Sequence, residues 1–208
     1  MMSFNRASRC HRRFLFSWLF QPIYYCFAAL LLTSCATTEA LPSYFVLAPP
    51  APTRAALPHS GIVQAFIQRV YLPSYLTRVS LARINQNQVV YSRSARWASP
   101  LDQEIAQAVA LNLQQHGINA QGFQPTVPPP DHADDVQIRI AQFEGFDNGE
   151  VVLAASWTIS AKDSTSPFAS QATRIVQTGW TPGDDAGLAR MLSEAVTEMS
   201  AKIAKSLR

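Results

Sequence analysis

Two long strand-like runs joined by a tight turn constrain this chain more than any other feature. From Val136 the apolar residues alternate with polar ones through Ile138 and Ile140 to Gln142, and residues 151–160 (VVLAASWTIS) form a second run. Asp147-Asn148-Gly149 lies between them. Asparagine and glycine accept the positive φ that a short hairpin turn demands. A period of two places successive side chains on opposite faces, so the first run is a strand with one face buried. An antiparallel pair therefore sits at the centre, and the remaining elements must extend it or pack on it.

The flanking segments supply both kinds of element. Residues 43–47 (SYFVL), 61–71, and 173–180 read as strands from their β-branched and aromatic content. Residues 81–84 and 89–92 flank Asn85-Gln86-Asn87-Gln88 as a second hairpin, after a turn at Pro73. Residues 119–135, with Pro128, Pro129 and Pro130, read as a loop. Ser99-Pro100 opens a helix: serine can cap the first amides, proline suits the first turn, and Asp102 and Glu104 complement its positive end. Leu101, Ile105, Ala108, Val109 and Leu113 form its apolar stripe, and Gly117 ends it. A second amphipathic helix covers 187–207, with Leu188, Met191, Leu192, Ala195, Met199 and Ile203 inward. One stripe per helix means one buried face each. The fold class is α+β, a mostly antiparallel or mixed sheet with two amphipathic helices packed on one face.

The first 34 residues follow a different rule. Arg6, Arg9, Arg12 and Arg13 precede an apolar stretch from Phe14 to Leu32, and no acidic residue occurs before Glu39. Thr33 and Ser34 are small, as a peptidase site before Cys35 requires. Leu32-Thr33-Ser34-Cys35 resembles the lipobox of bacterial lipoproteins, which implies a diacylglyceryl thioether on Cys35 and cleavage in front of it. An uncleaved anchor is the alternative, since residues 14–34 approach the length that spans a bilayer. Gln21-Pro22 interrupts that run and leaves 23–32 as a core of signal-peptide length. The chain thus divides into a signal peptide (1–34), a lipidated N-terminus with a short strand and a stiff connector rich in proline (35–60), and a folded domain (61–208).

Removing the signal segment takes away four arginines and leaves 13 basic against 14 acidic residues, a formal charge of −1. No electrostatic footprint for nucleic acid remains. Cys10 and Cys26 leave with the signal and Cys35 is consumed by lipid, so no thiol is left for a disulfide, a metal site or a nucleophile. His59, His116 and His132 are scattered without metal-ligand spacing. His132, Asp134 and Asp135 could approach a cation, but a solvated loop explains them better. There is no Gly-x-Ser-x-Gly elbow and no phosphate-cradling glycine loop. The expectation is a protein that is not an enzyme and needs no cofactor or metal.

The notable cluster is Arg96-Trp97-Ala98-Ser99-Pro100-Leu101-Asp102-Gln103. Two readings stand side by side. Trp97 staples the helix start to the body of the domain, or the segment is a partner or oligomer contact, because tryptophan and arginine are enriched in binding hot spots. Tyr71, Tyr75 and Tyr91 read as sheet packing or edge residues.

Taken in order, SYFVL, VQAFIQRVYLPSYLTR, RWASPLDQEIAQAVALNLQQ and FEGFDNGEVVLAASWTI resemble the PqiC family of ABC-type transport auxiliary lipoproteins, over nearly the whole chain after Cys35. WASPLDQ is the most specific part. The resemblance implies a lipoprotein of the outer membrane's inner leaflet, facing the periplasm, with Ala36 after the cysteine instead of the aspartate that marks inner-membrane retention. It implies an MCE-domain membrane protein as partner, a homo-oligomeric ring that docks that partner's tube, and a role in intermembrane lipid transport and membrane integrity. Cys35 is the lipidated residue by this resemblance. The alternative function is a structural lipoprotein of outer-membrane or cell-wall assembly.

Overall fold

A computed structural model describes residues 41–47, 63–164 and 166–208. Cys35, the signal segment, His59 and the proline connector lie outside the described residues. The strands are β1 (Ser43–Phe45), β2 (Gln64–Ile67), β3 (Ser80–Asn85), β4 (Gln88–Trp97), β5 (Asn119–Gly122), β6 (Asp134–Phe146), β7 (Glu150–Ser160) and β8 (Ala169–Thr178). Helix α1 (Leu101–Gln115) follows β4, helix α2 (Asp185–Ser206) follows β8, and a 3-10 turn (Ser74–Leu76) joins β2 to β3. All eight strands belong to one mixed sheet, so the α+β expectation holds.

Strand β6 organises that sheet. One edge pairs antiparallel with β7 from Asp135↔Ser160 to Gly145↔Val151, and β7 pairs in turn with β8. The other edge is shared. Its first residues take β2 in parallel (Ala65↔Asp134), and β5 lies beyond β2; its last residues take β3 in parallel (Arg83↔Gly145), followed by β4 and then β1. Between these groups, backbone bonds from Tyr71 to Ile138 and from Ile140 back to Tyr71 hold the intervening chain on β6.

Helix α2 packs on β6, β7 and β8, α1 on β2 and β5, and the two helices touch each other. Ile138, Phe143, Leu153, Trp157 and Ile159 meet Ile105, Leu113, Leu192 and Met199 in one buried core. The strict alternation read from the sequence fails at one place. A register shift between Ile140 and Gln142 makes a bulge, so Phe143 takes the inward position that the pattern assigned to Gln142.

Boundaries shift for definable reasons. The β3–β4 hairpin is tighter than read, with β3 reaching Asn85, β4 starting at Gln88, and Gln86 taking φ 53°. Ser99 does not cap α1; Pro100 occupies the cap position with no side-chain bond. Gly117 does end α1, at φ 77°, with its N–H on Gln114 O and the Ile118 N–H on Leu113 O, a Schellman closure. The segment read as one loop contains β5 and the start of β6, so Asp134 and Asp135 are strand residues.

Candidate functional site

The Trp97–Gln103 segment is where β4 turns into α1, and non-local bonds fasten it from several sides. The Trp97 N–H donates to Val79 O at 2.6 Å and the Ala98 N–H to Phe45 O at 2.8 Å, tying the turn to β1 and to the chain entering β3. Trp97 is only 3% exposed, its ring 6.1 Å from that of Phe143. Asp102, also buried, receives the Arg69 guanidinium at 2.7 Å, and the Glu104 carboxylate accepts the Leu47 N–H at 3.3 Å. The acidic first turn of α1 therefore grips the ends of β1 and β2 as well as complementing its own dipole.

The predicted contact residues separate into two sets. Trp97, Leu101 and Asp102 face the interior and offer a partner little surface. Arg96 and Gln103 are half-buried, as is Ser99, and Pro100 is exposed. The Arg96 guanidinium folds back onto the carbonyls of Ser92 and Ala95. Ser99 and Gln103 line a shallow polar cleft of about 320 Å³ with Gln107, Phe123, Gln124 and Thr126. The Gln107 amide donates to Gly122 O and Phe123 O, so the cleft wall is braced by β5. Such a surface offers hydrogen-bond donors and acceptors to a partner's backbone.

The structure also holds a polar group that nothing in the sequence singled out. Glu144, 1% exposed, lies on the side of β6 opposite Phe143, just past the bulge. Its carboxylate accepts the Phe143 N–H at 2.6 Å, the Tyr75 hydroxyl at 3.0 Å and the Gln142 amide at 3.4 Å. The Tyr91 hydroxyl donates to Tyr75 O. This network fills the space on β6 between the Tyr71 contact and β3. Burial pushes the Glu144 carboxyl above its ordinary range, and the three donors pull it back in part. Burial, with the Glu144 charge, pushes the Tyr75 hydroxyl up. Tyr71 remains half-exposed under the Arg139 guanidinium, 5.3 Å from its ring centre. Asp134 is raised by burial and then by Asp135 beside it. Among the described residues no three His, Cys, Asp or Glu side chains gather closely enough to hold a metal ion.

The chain belongs to the ABC-type transport auxiliary lipoprotein component family, which it matches over residues 45–204. It is similar to the intermembrane transport lipoprotein PqiC of Escherichia coli K12, 24% identical over 135 residues, which are 64% of this chain and 71% of that protein. Two crystal structures share the fold. One, of an uncharacterized protein, superposes with a TM-score of 0.65 at 20% identity over 81% of this chain and all of that one. The other, protein XCC0632 from Xanthomonas campestris, gives 0.59 at 12% identity over 78% and 92%. The family is one of transport auxiliary lipoproteins and not an enzyme family.

Proposed function

We propose that the protein is the lipid-anchored auxiliary subunit of an MCE-type intermembrane lipid transport system, held by acyl chains on Cys35 in the inner leaflet of the outer membrane and facing the periplasm. The family match over residues 45–204 carries this reading. The similarity to an intermembrane transport lipoprotein and the Leu32–Cys35 motif support it. Its task is to dock the periplasmic tube of an MCE-domain partner at the membrane and so support membrane integrity. Two or more acyl chains make attachment stable where one is only reversible, as a fixed docking point requires. A homo-oligomeric ring would let a small body surround a wider tube, closed by cyclic symmetry.

The accessible part of the signature segment, Arg96, Ser99, Pro100 and Gln103, is the contact for partner or neighbouring subunit. Trp97, Leu101 and Asp102 hold that segment in shape from beneath. Crosslinking in native membranes should recover an MCE-domain protein through a photoreactive side chain at Gln103. Recovery of a peptidoglycan-bound or assembly protein instead would favour the structural-lipoprotein alternative. Cys35→Ala should abolish palmitate incorporation; labelling that persists on a full-length chain would favour an uncleaved anchor.

A further inference from the structure

Exposed apolar side chains collect where the chain enters the sheet. Of the nine large apolar residues exposed among the described ones, three lie within residues 41–46: Leu41 at 88%, Tyr44 at 66% and Val46 at 55%. Among the described residues strand β1 ends the sheet beside β4, and no strand pairs with its other edge. Beside it, a groove of about 530 Å³ runs along the first turns of α2, with Phe45, Val46, Ala186 and Ala189 among its walls. The two charged side chains that line it, Arg190 and Glu194, pair at 2.7 Å and leave the groove without net charge.

Distance says what covers this patch. Only residues 36–40 separate Cys35 from Leu41, a reach of roughly 20 Å at full extension. A globular unit the length of residues 41–208 has a radius of gyration of about 15 Å, so it is roughly 40 Å across. With its attachment point at Leu41, such a body cannot turn its far side toward the bilayer that holds the anchor. The side around Leu41 has to face it.

We infer that Leu41, Tyr44, Val46 and the groove beside Phe45 form a seat on the surface of the bilayer that carries the Cys35 lipid. The seat rests on the Cys35 attachment proposed above. Its occupant is a lipid surface, because the tether brings one within reach and the patch offers apolar area without net charge. Tyrosine prefers the headgroup level of a bilayer, where one end of the ring is apolar and the other wet. The free edge of β1 limits the depth, since its unpaired backbone groups need water and cannot enter the hydrocarbon. Contact is therefore shallow and apolar, and insensitive to salt.

The test uses the mature lipidated protein in phosphatidylethanolamine–phosphatidylcholine vesicles, with an environment-sensitive fluorophore on Val46→Cys or, at the opposite end of the sheet, Val176→Cys. Flotation with the vesicles and palmitate labelling read the anchor independently of the fluorophore. The Val46→Cys probe should shift to the blue and be quenched at least twofold by lipids brominated on the acyl chain, with or without added salt. The Val176→Cys probe should stay open to aqueous iodide. A protein that floats while its Val46→Cys probe remains open to iodide overturns the seat and leaves the anchor standing. A probe shielded from iodide yet untouched by brominated lipid assigns the patch to a protein neighbour, which also overturns it. Failure to float, with no palmitate incorporated, removes the anchor and the seat together.

Discussion

Trp97 and Tyr44 lie on paired strands, one position out of register, and they have opposite fates. In the parallel ladder of β1 and β4, Phe45 faces Trp97 and Tyr44 faces Arg96. Strand parity sends the Trp97 side chain into the core at 3% exposure and leaves that of Tyr44 outside at 66%. The tryptophan read both as a staple and as a partner contact stands in the core, and the tyrosine of the short first strand stands exposed. Aromatic identity says that a side chain has area to bury; the face it stands on says against what.

Substitution sharpens that contrast most at Trp97 itself. Trp97→Ala should cost about 3–5 kcal/mol in urea unfolding, the range for emptying a core aromatic site, whereas Tyr44→Ala should stay within about 0.5 kcal/mol. Similar losses at both positions would mean that parity does not divide them. Asp102→Ala should cost about 1 kcal/mol, because Asp102 is buried but its partner Arg69 is largely in water.

Glu144 tests whether a buried polar group on the opposite face behaves like the core. A carboxyl whose folded pKa lies above its unfolded value adds stability that is complete below the ordinary value of 4.5 and is lost as pH rises through the folded value. The wild type should therefore lose stability relative to Glu144→Gln between acid and neutral pH, in paired urea titrations. An unchanged difference across that range would contradict the raised carboxyl. Arg190→Ala, beside the β1 groove, should be smallest, about 0.3 kcal/mol, as for an exposed helical ion pair.

The parts legible in the sequence were those with a strong local period or a turn that only certain residues permit. Both helices follow from their apolar stripes, Gly117 closes α1 at positive φ, and Gly149 at φ 85° follows the β6 strand as the hairpin turn requires. Strand β5 was illegible because Asn-Ala-Gln-Gly has neither alternation nor β-branched content. It is a strand because β2 pairs along it and α1 presses close; a Cβ on Gly122 would stand 2.7 Å from Ala106 O. The bulge after Ile140 hid for a similar reason. It reassigns Phe143 and Glu144 to faces that simple counting gives to their neighbours, and the Glu144 network needs residues nearly 70 positions apart. At the candidate contact, the composition of the segment was legible, but not which of its residues stay accessible, since parity across the β1–β4 ladder decides that for Arg96 and Trp97 and the packing of α1 decides it for Leu101, Asp102 and Gln103.

The connection between β1 and the rest also has a mechanical consequence. Only three register pairs with β4, the Ala98–Phe45 bond and the Leu47–Glu104 bond fasten this strand among its described hydrogen bonds, while β6 and β7 share ten pairs. Any pull applied upstream of Leu41 loads this three-pair ladder before the ten-pair one. The N-terminal strand β1 can thus peel away as a fuse, sparing the central meander from being torn open.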